Sequence, residues 1–126
     1  MAIRIERLLP YPAAEVWAVV GTPERVDWVP GIESCEFDGE VRAFRLPGAG
    51  SIREQIFSID DEAMRIEYGV IESPMPLALH RASIQLESRE KGCLFIWETT
   101  VEPEAVEPFI REAMEGSFVQ LVEVLG

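Results

Sequence analysis

The feature that most constrains this chain is a change of hydrophobic period. Residues 32–101 break into short extended runs separated by turn signals, whereas over residues 106–125 the apolar side chains recur at helical spacing. Asp38-Gly39, Pro47-Gly48-Ala49-Gly50, Asp60-Asp61-Glu62, Ser73-Pro74-Met75-Pro76 and Arg89-Glu90-Lys91-Gly92 each interrupt an extended run, which is the pattern of an antiparallel meander. Six strands fit between the breaks, with Asp38-Gly39 as a two-residue hairpin turn. The tail carries Val106, Phe109, Ile110, Ala113, Met114, Phe118, Leu121, Val122 and Leu125 on one broad stripe. From Pro108 onward such a helix spans roughly 27 Å, enough to cross a sheet.

Ahead of the meander, residues 3–9 read as a strand ended by Pro10 and Pro12, and Pro12 suits the first turn of a helix. That helix runs to about Val20 and closes at Gly21. Thr22-Pro23-Glu24 then predicts a second short helix, with Thr22 as N-cap and Pro30-Gly31 as its stop. The expected fold is α+β: one domain over residues 1–126, with seven antiparallel strands, two short helices after the first strand and a long C-terminal helix.

Charge narrows the partners. A formal charge of -12, from 23 acids against 11 bases, is wrong for phosphate backbones and for anionic membranes. No apolar run approaches the ~20 residues that span a bilayer, and the opening Ala2-Ile-Arg-Ile-Glu-Arg7 alternates; a cytoplasmic protein is expected. Cys35, Cys93 and the single histidine, His80, lack metal-ligand spacing, so neither a metal nor another cofactor is expected.

Strand parity sorts side chains into two faces. Met64, Ile66, Tyr68 and Val70 oppose Arg65 and Glu67; Ala78, His80, Ala82, Ile84 and Leu86 oppose Arg81, Ser83, Gln85 and Glu87. Centring each hairpin on its turn pairs Cys35 with Arg42, Arg42 with Glu54, Glu54 with Tyr68 and Tyr68 with His80, and brings Glu98 level with His80 or Ala82. The result is a polar band on a face otherwise made of Phe37, Phe44, Leu46, Ile52, Ile56, Ile66, Val70, Ile84, Leu94 and Ile96. Trp97, Phe95 and Cys93 fall on the opposite face by the same parity. Arg42, Glu54 and Glu98 would each lose several kcal/mol of hydration in a dry interior. A water-bearing cavity with apolar walls resolves that difficulty and is the usual make-up of a small-molecule site. Blander readings stand beside it: Arg42–Glu54 as a structural ion pair, His80 as a satisfied core histidine, Tyr68 as packing area.

Several strings also resemble a known family. Pro12-Ala-Ala-Glu-Val-Trp17, Trp28-Val-Pro-Gly-Ile32, Arg45-Leu-Pro-Gly48, Ser51-Ile-Arg-Glu-Gln-Ile56 before Asp60-Asp61-Glu62, and Trp97-Glu98 before the last helix follow one another as in the polyketide cyclase/dehydrase-like proteins. Those belong to the helix-grip superfamily of the birch-pollen allergen, START domains and plant abscisic acid receptors. The resemblance covers nearly the whole chain and implies a curved sheet gripping the long helix, with a cavity between them. It sets Glu54 and Glu98 at pocket glutamates of the receptors, His80 at a pocket tyrosine, and Leu46, Pro47 and Gly48 in a gate loop. Glu33 stands at the receptors' pocket lysine and Met75-Pro76-Leu77 at their latch, so the resemblance does not extend to a carboxylate held by lysine.

Two functions follow. One is a carrier or sequestering protein for a small apolar or amphipathic molecule, lined by Arg42, Phe44, Glu54, Ile56, Tyr68, His80, Ile96, Glu98, Phe109 and Met114, acting as monomer or homodimer. The other is a polyketide cyclase/dehydrase-like enzyme in which His80, Glu54 or Glu98 transfers a proton, without metal or nucleotide. An acidic interaction module would explain the charge but not the inward polar band.

Overall fold

The computed structural model describes residues 2–126. Strand β1 (Ala2–Leu9) leads into helix α1 (Ala13–Val20), and then come β2 (Cys35–Phe37), β3 (Val41–Leu46), β4 (Gly50–Asp60), β5 (Arg65–Glu72), β6 (Leu79–Arg89) and β7 (Gly92–Glu102). A 3-10 turn, Glu104–Val106, opens onto helix α2 (Glu107–Leu125). All seven strands form one antiparallel sheet in the order β1-β7-β6-β5-β4-β3-β2, so β1 closes onto the last strand of the meander. Helix α2 buries Met114, Ser117, Phe118 and Leu121, a stripe at helical spacing. Phe118 meets the ring of Phe95 edge-on at 4.8 Å, and Trp28 lies 5.3 Å from Trp97, so the core is strongly aromatic.

The second short helix expected after Gly21 does not form. The chain from Thr22 to Ile32 makes isolated turns instead, closed by Arg25 N–H to Thr22 O, Val29 N–H to Val26 O and Ile32 N–H to Val29 O. Thr22 donates its hydroxyl back to Ala18 O at 3.0 Å and caps nothing. The reason is burial: Val26, Trp28 and Ile32 all face inward, and a helix would put the first two on nearly opposite sides.

At Arg42, Glu54, Tyr68 and His80 the registers in the meander differ from turn-centred pairing by whole pairs or not at all, which preserves their facing. Arg42 does pair with Glu54, but Asp38 accepts the N–H groups of Glu40 and Val41, making a four-residue connection, 38–41, that pairs Phe37 with Arg42 and Cys35 with Phe44. Irregularities at Arg53/Glu54 and Ile56/Ser58 set Ile56, not Glu54, beside Tyr68, and Tyr68 lies opposite Ala82, not His80.

The last hairpin slips by one residue, with a different consequence. A two-residue turn, Glu90-Lys91, pairs Arg89 with Gly92 and therefore Ser83 with Glu98. One residue of slip reverses every side chain. Cys93, Phe95, Trp97, Thr99 and Val101 thus face the core, while Leu94, Ile96 and Glu98 face away. Cys93 is inward, contrary to its sequence parity, and both cysteines are free thiols.

Candidate functional site

Between the concave face of the sheet and α2 lies a cavity of about 140 Å³. The sheet contributes Arg42, Phe44, Ile52, Glu54, Tyr68, Val70, His80, Trp97 and Thr99. The turns after α1 add Val26, Trp28, Val29 and Ile32, and α2 adds Phe109, Ile110, Ala113, Met114 and Ser117. Leu46 and Ala49 from the β3–β4 loop and Ser73, Met75 and Leu77 from the β5–β6 loop complete the wall.

The loops interlock at one rim. A Cβ on Gly31 would fall 2.4 Å from Pro47 Cγ, and one on Gly50 would fall 2.8 Å from Pro74 Cγ. Both glycines also have positive φ, +84° and +87°, so backbone conformation and space each require glycine there.

At the polar end Arg42 and Glu54 are only 7% and 8% exposed. Arg42 Nε donates to Glu54 Oε1 at 2.7 Å and its Nη1 donates to Pro23 O at 3.1 Å. The guanidinium also sits 4.8 Å from the centroid of the Tyr68 ring, within cation–π range. Burial works against the Arg42 charge, but Glu54, Tyr68 and Cys35 together outweigh it and hold the guanidinium above its ordinary pKa. Tyr68 accepts the indole N–H of Trp97 at 3.0 Å. Burial, reinforced by Glu54, pushes the phenol far above its usual range, so Tyr68 keeps its proton as a donor.

His80 accepts the backbone N–H of Val70 at Nδ1, 3.2 Å away, which leaves Nε2 to carry the ring proton. Burial lowers its pKa, opposed in part by Glu54, so the imidazole is neutral at pH 7. The described residues contain no cluster of metal-ligating side chains.

Of the sequence-expected residues, Arg42, Phe44, Leu46, Glu54, Tyr68, His80, Phe109 and Met114 line the cavity. Glu98 does not: it faces outward and accepts a hydrogen bond from Arg4. Ile96 lies on that outer face too. Ile56 packs against the core and not on the cavity, Pro47 rests on Gly31, and Gly48 lies outside the lining. Trp97, Thr99, Val26, Trp28 and Ser117 were missed. The signal for Trp97 was present: Glu98 and Glu102 share a parity, opposite to Phe95, Trp97 and Val101.

Solved structures share this fold. Protein XoxI from Bacillus cereus is 20% identical, with 98% of this chain and 94% of that chain covered at a TM-score of 0.89. A protein from Thermobifida fusca is 24% identical over 99% and 93%, with a TM-score of 0.81. Ara h 8.0201 is 16% identical over 99% and 97%, also at 0.81. No curated protein matches the sequence. The family model described as polyketide cyclase / dehydrase and lipid transport matches residues 2–125, and the chain belongs to that family.

Proposed function

We propose that the protein binds a small, largely apolar organic molecule between the sheet and α2, as a carrier or sequestering protein. The observation that carries this reading is a cavity whose polar groups are already organised among themselves, Arg42 on Glu54 and Tyr68 on Trp97, within walls of Val26, Trp28, Ile52, Val70 and Met114. The family description includes lipid transport, which agrees with an apolar cargo.

The same family description keeps proton-transfer chemistry as the second reading, yet the candidate bases are occupied. The acceptor nitrogen of His80 holds the Val70 N–H, and Glu54 Oε1 is engaged by the Arg42 guanidinium. Each can orient a bound molecule more readily than it can take a proton from one.

Toluene titrated into the purified protein and followed by amide NMR tests the binding reading. Saturable shifts confined to residues around the cavity, such as Ile52, Tyr68 and Met114, support it. Shifts that are linear in toluene and scattered over the surface contradict it.

A further inference from the structure

The charge in the cavity sums to zero in a particular way. Among its lining residues only Arg42 and Glu54 are charged at neutral pH, and they are committed to each other. An anionic ligand would leave water for a site whose one cation is already neutralised, and a cationic one would meet Arg42 beside Glu54. Either pays desolvation without a free counter-charge.

The pair is nevertheless not saturated. Glu54 spends Oε1 on Arg42, and Oε2 has no protein donor among the described residues although it is not sealed off from accessible space. Tyr68 accepts from Trp97, and its own O–H has no protein acceptor among the described residues. A hydroxyl is the smallest neutral group that can both donate to a carboxylate and accept from a phenol. The volume of about 140 Å³ is on the scale of a cavity of ~150 Å³ that holds benzene, which sets the apolar part at roughly one six-membered ring.

We propose that the cavity selects a neutral single-ring alcohol or phenol over its carboxylate counterpart, with Glu54 Oε2 accepting a hydrogen bond from the ligand's hydroxyl. This rests on the binding reading above and adds the ligand class and the residue that sets it. Glu54 discriminates twice, by receiving a hydroxyl and by cancelling the charge that would attract an anion.

The test is calorimetric titration of three ligands of one shape, p-cresol, toluene and p-toluate, into wild type and Glu54→Gln at pH 7. In wild type p-cresol should bind about tenfold or more tighter than toluene, the scale of one hydrogen bond to a charged acceptor, and p-toluate should be the weakest. In Glu54→Gln the order should invert, because Arg42 is then an uncompensated cation and p-toluate becomes the best ligand. Toluene equal to p-cresol, or p-toluate the tightest in wild type, overturns the proposed selectivity while leaving the binding reading intact. A folded Glu54→Gln that keeps the wild-type order removes Glu54 from the role. If none of the three binds wild type, the binding reading itself fails and this inference with it. Should Glu54→Gln not fold, the wild-type series still decides the ligand class, and Tyr68→Phe, which retains the ring but loses the donor, should reduce the p-cresol advantage over toluene.

Discussion

Arg42 and Glu54 face each other across β3 and β4 as directly paired residues, and Arg42 Nε donates to Glu54 Oε1 at 2.7 Å in a site nearly closed to solvent. The guanidinium is held on two further sides, by Pro23 O and by the Tyr68 ring. Pairing of this kind makes each partner's charge depend on the other.

Removing one partner should therefore cost more than removing both. Arg42→Met strands a carboxylate and should destabilise by about 3–5 kcal/mol, whereas Arg42→Met with Glu54→Leu should recover much of that loss. Urea unfolding measures both. A single variant within about 0.5 kcal/mol of wild type would mean that water already compensates the charges.

Tyr68→Phe leaves the Trp97 indole N–H without its acceptor. The expected cost is about 1–3 kcal/mol, the penalty of an unsatisfied buried donor, with an upfield shift of the Trp97 indole proton in NMR. An unmoved indole resonance would place its hydrogen bond elsewhere.

His80 gives stability a pH dependence of definite sign. Its folded pKa lies below the unfolded value of about 6.5, so the unfolded chain takes up the proton first. The contribution is fully present above pH ~6.5 and is lost as pH falls toward the folded pKa, at up to about 1.4 kcal/mol per pH unit. Urea unfolding of wild type and His80→Gln at pH 7 and pH 5 isolates it: wild type should lose more on acidification than the variant. Equal losses would show that His80 titrates alike in both states.

Filling the cavity should be tolerated where filling the packed core is not. Val70→Phe projects toward open volume and should change stability by less than about 1 kcal/mol while abolishing ligand binding; Ala82→Leu, in the packed core, should cost about 1–3 kcal/mol. Thermal melts compare the two. Similar large losses in both would indicate that no usable space adjoins Val70.

Much of this architecture was legible because periodicity survives errors of register. Arg42, Glu54, Tyr68 and His80 face as their parity predicts although their partners differ, since the Asp38 turn displaces pairing by two residues and so does the stretch Glu54–Ile56 between the two β4–β5 irregularities. Glu98 was lost because the Glu90-Lys91 turn moves β7 by a single residue, and it is the Glu98/Glu102 parity that carried the correct facing. The turns holding Val26 and Trp28 were illegible for another reason. Thr22-Pro23 is as good a helix start as a turn, and only tertiary burial of both hydrophobes decides between them.

The most direct measurement is a crystal of the protein soaked in 4-bromophenol, with the bromine located by anomalous scattering. The expected result is one strong peak inside the cavity among Ile52, Val70 and Met114, with the phenol oxygen within hydrogen-bonding distance of Glu54. A cavity holding only water, with bromine confined to the outer surface, would contradict ligand binding at this site.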